Sequence, residues 1–276
     1  MSARQEPPPN TPMLAKLALG DMITRIRERS GLGRPDVASK LGVDTETVRR
    51  WELGKNAPKR HVIESLVNII GITPPEMSRM TALSMDSKQR GMFEGNNIPP
   101  HLRVFYESEA TAVRIRSIGL EYFPGLLQTR AYHRAAQDAQ LPIEDELAAN
   151  LRELRTRRQE ITFGRDPLPE MQFLVGRAAL LYLDDHPEIR DEQVARLLEI
   201  DALPGAEIRV VNGFHAAMLG SFTILTARPE TGARPFAYVE AIDGGRYVEG
   251  HVVSEYEATF EAVRNSQSVN IKEVLG

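Results

Sequence analysis

Between two short amphipathic segments, one running through Pro35, Val37, Ala38 and Leu41 and the other from Thr45 to Leu53, the chain leaves only Gly42, Val43 and Asp44 for a turn. So short a connection holds two helices at a steep angle, and it constrains the fold more than any other feature. Gly42 suits the left-handed conformation that closes a helix, and Asp44 stands as N-cap of the next one, in which Val48 and Trp51 are spaced to face inward. An earlier helix is predicted from Lys16, where Leu19, Met22, Ile23 and Ile26 recur at helical spacing with Arg25, Arg27 and Arg29 on the other faces, until Gly31 stops it. Downstream, Val62, Ile63, Leu66, Val67 and Ile70 form an apolar stripe read as core. ITPPEM then starts a further helix, with Thr73 as cap, Pro74 at the first helical position and Glu76 placed to reach back.

These pieces predict an all-α domain of about five helices over residues 16–85, with a helix-turn-helix at its centre. In that arrangement the second helix of the pair lies in the major groove of DNA and its N-terminal side chains meet base edges. By position those are Thr45, Glu46, Thr47 and Arg49, while Arg50, Lys55 and Lys59 are better placed for the phosphates. Arginine can bond guanine through two donors and glutamate can accept from cytosine, so the set is able to read sequence. The formal net charge of the whole chain is −4, which is unpromising for a polyanion ligand. The charge is segregated, however. Residues 1–80 hold four lysines and nine arginines against nine carboxylates, net +4, and the rest carries −8.

Residues 19–70 resemble the xenobiotic-response-element type of helix-turn-helix found in phage repressors, through IRERSGL at 26–32, VASKLGV at 37–43 and TVRRWELGK at 47–55. Arg34 stands where that group usually has a phosphate-binding glutamine, and Gly33 stands where it has a hydroxyl N-cap. The resemblance implies that Arg34 contacts a phosphate.

The start, MSARQEPPPNTPM, reads as a disordered arm over residues 1–15, and the Gly-, Asn- and Pro-rich end of SMDSKQRGMFEGNNIPP sets a linker at 86–99. Residues 100–276 mix helical and strand patterns, and an α+β domain with a largely antiparallel sheet is expected. HLRVFYESEATAVRIRSI reads as one charged helix, EIRVV, GSFTILTA and PFAYVEA as strands, Gly244 and Gly245 as a hairpin turn, and VVSEYEATFEAVRNSQS as the closing helix.

Chemistry is hard to place on this domain. The chain has no cysteine, and its six histidines fall in no metal-binding spacing, so no metal site and no cofactor is implied. No nucleophile elbow or phosphate loop follows a strand. Glu107, Glu109 and Glu121 lie close in sequence, but a solvated helix face explains Glu107 better than catalysis does. The expectation is that this is not an enzyme. No apolar run approaches the roughly 18 residues of a membrane span, and a cytoplasmic location is the simplest fit.

ESEATAVRIRSIGLEYFPGLLQTRAY resembles the segment that follows a helix-turn-helix in WhiJ-type, antitoxin-like actinomycete regulators, through Glu109, Ala110, Ile115 to Ser117, PGLLQT at 124–129 and Tyr132. The resemblance implies a transcriptional regulator whose second domain binds partners instead of catalysing. The implied partners are double-stranded operator DNA, a second copy of the chain, and a small protein encoded nearby. The alternative is a regulator whose second domain senses a small molecule, with Phe105, Tyr106, Tyr122 and Phe123 lining the site. These aromatics are otherwise core, which is the reading preferred here.

Overall fold

The computed structural model describes residues 12–88, 93, 98, 100–140, 142–228, 234–241 and 244–275, which fall into two compact units. The first is helical: α1 Pro12–Arg29, α2 Arg34–Leu41, α3 Thr45–Glu52, α4 Arg60–Ile70 and α5 Pro74–Asp86. Leu19, Ile23, Val48, Ile63, Leu66, Ile70 and Met80 make its centre, each no more than 2% exposed. Most of the expected arm lies outside the described residues. Its last four residues are helical instead, because Leu14 and Ala15 extend the buried stripe of α1 by one turn. Most of the expected linker, residues 89–92, 94–97 and 99, also lies outside the described residues.

Contacts along its length tie α1 to the other helices. Gly20 lies against the end of α3, where an added Cβ would sit 2.5 Å from the Trp51 carbonyl oxygen and 2.6 Å from that of Glu52. At its other end, Arg29 donates to both carboxylate oxygens of Glu76 at 2.7 and 2.9 Å, and Glu76 also accepts from the Thr73 N–H at 2.9 Å, as the capping pattern predicts. The Arg29 hydrogen bond and then the Thr73 N–H hold the Glu76 carboxyl down at about 2, against an ordinary 4.5. A lowered carboxyl contributes stability that is complete above its ordinary value and is lost as pH falls toward the folded one. Glu76→Gln is therefore expected to flatten the decline of the melting temperature between about pH 4.5 and pH 2. The single tryptophan, Trp51, reports that transition, and parallel curves for parent and variant would refute the assignment.

The second unit contains α6 Pro100–Thr111, β1 Arg114–Gly119, α7 Arg130–Asp138, α8 Asp145–Phe163, β2 Glu170–Gly176, α9 Arg177–Leu181 and α10 Pro187–Asp201. It continues through β3 Ala206–Val211, β4 Phe222–Thr226, β5 Phe236–Ala241, β6 Gly244–Val248, α11 Val253–Ser266, β7 Ser268–Asn270 and α12 Lys272–Leu275. The sheet order is β6-β5-β4-β1-β2-β3-β7. Only β1–β2 and β2–β3 are parallel, joined through helices as parallel strands must be, so the sheet is largely antiparallel as expected.

Several details differ from the sequence reading. The charged helix ends at Thr111, and RIRSI is the strand β1 at the centre of the sheet. Ile115 and Ile118 are three apart, a helical interval, yet both are buried because each face of a central strand is covered. Glu107 is not on a solvated face: it is 4% exposed, and Glu109 is 2% exposed. Glu109 takes two hydrogen bonds from Arg158 of α8, at 2.8 and 2.7 Å. Glu121 accepts from the Tyr182 hydroxyl at 2.8 Å. Gly244 and Gly245 belong to β6 and not to a turn, pairing with Ala241 and Glu240 of β5, and a Cβ on Gly245 would collide with the Tyr238 ring. Past the closing helix, β7 adds to the edge of the sheet on β3.

PGLLQT has no regular structure and is held by side-chain amides. Gln159 of α8 donates to the carbonyls of Gly125, Leu126 and Gln128 at 3.0, 3.3 and 2.7 Å. Gln193 of α10, wholly buried, accepts from Thr129 N–H and donates to the Leu127 carbonyl, both at 2.9 Å. Buried loop backbone requires such partners, and these amides supply them.

Candidate nucleic-acid interface

The turn between α2 and α3 follows from its residues. Gly42 adopts φ 68°, ψ 32° and donates to the Ser39 carbonyl at 3.3 Å, while Val43 donates to that of Ala38 at 3.1 Å. This pair of bonds closes the last turn of α2. Asp44 then accepts from the Thr47 N–H at 2.6 Å and starts α3. Hydrogen bonding to Thr47, first from its backbone, lowers the Asp44 carboxyl below its ordinary value, so the cap is ionised where DNA is stable.

Within α3, Val48, Trp51 and Glu52 are buried, and Thr45, Glu46, Arg49 and Arg50 are exposed. Thr47 is half-buried at the border between the two faces. Lys55 and Lys59, on the segment leading into α4, are exposed. Arg49 lies 3.1 Å from Glu46 on the same surface, so the free helix presents a donor fork and an acceptor carboxylate side by side. Exposed pairs of this kind contribute about 0–1 kcal/mol, and a base edge can displace either partner.

Arg34 differs from the others. It stands first in α2, where Gly33 replaces a side-chain cap and donates its own N–H to Asp36 at 2.8 Å. Its Nε donates to Glu52 at 2.5 Å, which leaves its side chain 41% exposed and partly neutralised. Glu52, 1% exposed, also accepts from Arg27 Nε at 2.5 Å, and Arg27 reaches the Leu32 carbonyl at 3.0 Å. Arg27 is therefore buried and not on an outer face of α1. This Arg27–Glu52–Arg34 cluster sets the end of α3 against α1 and the start of α2. Nothing local in the sequence marks it, because the partners lie 25 and 18 residues apart.

Residues 18–80 match a family model described as a helix-turn-helix domain, which makes this unit a DNA-binding one of the transcription-regulating kind. Among the described residues, no helix is long and apolar enough to cross a membrane. The search of curated proteins returned no match. Residues 102–268, more than half of the chain, match the model described as Domain of unknown function (DUF5753), and the chain belongs to that family.

Proposed function

We propose that the chain is a sequence-specific transcriptional regulator of the xenobiotic-response-element type, reading operator DNA in the cytoplasm as a homodimer. Its second domain binds partners in the manner of WhiJ-type, antitoxin-like regulators and is not an enzyme. The observation that carries the DNA reading is the sorting of α3, in which three side chains pack inward and leave Thr45, Glu46, Arg49 and Arg50 as one solvent face. Arg49, Glu46, Thr45 and Thr47 are assigned to base edges, and Arg50, Lys55, Lys59 and the free edge of Arg34 to phosphates.

Fluorescence anisotropy against a fragment from upstream of the chain's own coding sequence, with a scrambled control, tests the reading. The operator fragment should win by about a thousandfold or more. Arg49→Ala should cost about 1–3 kcal/mol on the operator and relax sequence choice, whereas Lys55→Ala should weaken both fragments alike. Equal proportional losses in the two variants would remove Arg49 from the base edges. A single module makes few base contacts, so two half-sites about one helical turn apart are expected, and a footprint on one unrepeated half-site would argue against the dimer.

The partner-binding reading is supported by the loop between β3 and β4. Ala217 packs into the core and Gln267 accepts from the Ala216 N–H at 3.0 Å. These anchors leave Phe214 88%, Met218 56% and Leu219 103% exposed. Large apolar side chains gathered on one ordered loop mark an interaction surface. Phe214→Ser with Leu219→Ser is expected to keep the parent's melting temperature and to abolish capture of the small protein encoded nearby. Capture at parental strength would place that contact elsewhere.

A further inference from the structure

Across β2, β1, β4 and β5 the residues Phe173, Ser117, Thr223 and Tyr238 are successive pairing partners, so their side chains share one face of the sheet. They floor a cavity of about 100 Å³, partly open to solvent, that is walled by Phe105 and Tyr106 of α6, by Tyr122, and by Arg155 and Arg158 of α8. Phe123, which the sequence reading grouped with these aromatics, is wholly buried elsewhere in the core.

The cavity is lined by two arginines and two carboxylates, Arg155, Arg158, Glu109 and Glu240, but they are unequally paired. Arg158 is neutralised by Glu109 and stacked over Tyr106 at 4.1 Å. Arg155 has neither a hydrogen bond nor a carboxylate within ion-pair distance among the described residues. Glu240 stands on the exposed rim, where it accepts from the Tyr122 hydroxyl at 3.1 Å. The Arg155 Nη1 packs against the bare backbone of Gly125 in PGLLQT, 2.2 Å from where a Cβ would stand. The field is felt nearby, since burial and then Arg155, Arg152 and Arg158 push the His133 imidazole down to about 4. Tyr238 is the floor residue on β5, and its hydroxyl lies over Gly245 of β6. The Tyr238 hydroxyl has no hydrogen-bond partner in a side chain only 4% exposed.

The buried Tyr238 hydroxyl is costly to leave unsatisfied, the half-buried Arg155 guanidinium has no ion-pair partner within reach among the described residues, and a single anionic group satisfies both. We propose that this cavity binds the acidic head group, carboxylate or phosphate, of a small organic molecule, with Arg155 as its ion-pair partner and Tyr238 as a hydrogen-bond donor. The planar fork of arginine suits both oxyanions. A cavity of about 150 Å³ holds benzene, so this one takes the head group and little more, and the remainder of the molecule leaves through the open side. A cationic ligand is disfavoured by Arg155 despite the aromatic walls. This inference is independent of the DNA-binding assignment, and its failure leaves the roles of α3 untouched.

Isothermal titration of the full chain with benzoate, phenyl phosphate, benzyl alcohol and benzylammonium tests it. Saturable one-to-one binding of benzoate or phenyl phosphate is expected, with the better of the two identifying the head group, and no binding of the alcohol or the amine. Arg155→Gln should weaken the acid at least tenfold, and Tyr238→Phe should weaken it several-fold. Should Arg155→Gln fail to fold, Tyr238→Phe and the comparison of acid with alcohol on the parent still decide. The proposal is overturned if neither acid binds by 10 mM ligand, if the alcohol or amine binds as well as the acid, or if the variants bind the acid as the parent does.

Discussion

Removing the guanidinium of Arg158 is expected to lower the stability of the α+β unit by about 3–5 kcal/mol, the effect of leaving one member of a buried ion pair uncompensated. Both partners are nearly enclosed, with side chains 6% and 3% exposed, and the two hydrogen bonds to Glu109 are the fork geometry in which arginine binds carboxylate best. Arg158→Ala also strips the cover from the Tyr106 ring. Arg158→Met together with Glu109→Leu is expected to recover most of the loss, since an apolar pair of similar volume avoids the desolvation of two charges. Thermal melts followed by circular dichroism measure this. If the single variant melts within a degree or two of the parent, the pair carries no stability.

The same reasoning, applied to Glu52, predicts the second large effect. Glu52→Ala leaves Arg27, with its side chain 10% exposed, buried against the Leu32 carbonyl and a single weak contact to Glu28. The expected loss is again about 3–5 kcal/mol, nearer the lower figure because Arg34 is half in solvent and can turn outward. Urea unfolding followed by Trp51 fluorescence reads it directly, because Trp51 is the only tryptophan and sits in this unit. An unchanged midpoint would show that packing alone fixes α3. DNA affinity should fall more steeply than stability, since Glu52 orients the helix whose opposite face is proposed to read the bases.

What the sequence made legible was local. The three-residue turn, the Asp44 cap, the glycine closing α2 and the Thr73–Glu76 pair all depend on residues within four positions of each other, and each appears as expected. The exposure of Thr45, Glu46, Arg49 and Arg50 was legible in the same way, because one helix sorts its own faces. What escaped was non-local charge. Arg27 was read as an outer helix face and Glu107 as a solvated one, and nothing marked Glu52, Glu109 or Arg158 as core; Arg27 and Glu109 are buried against a complementary group that arrives from 25 or 49 residues away. β1 was misread for a related reason: in RIRSI the two isoleucines fit a helical interval, and only the flanking strands decide the matter. Arg155 could not have been singled out, because its isolation is a statement about what its neighbours lack.

β7 is three residues long, yet it changes what the sheet offers to solution. Without it, the backbone of Arg209, Val210 and Val211 would end the sheet as an open, valine-rich margin, the type of edge onto which another chain readily adds. Ile271, wholly buried, pins the strand there, and Lys272 is fastened to Asp201 at 2.8 Å. The sheet therefore offers one fewer place for unplanned strand addition.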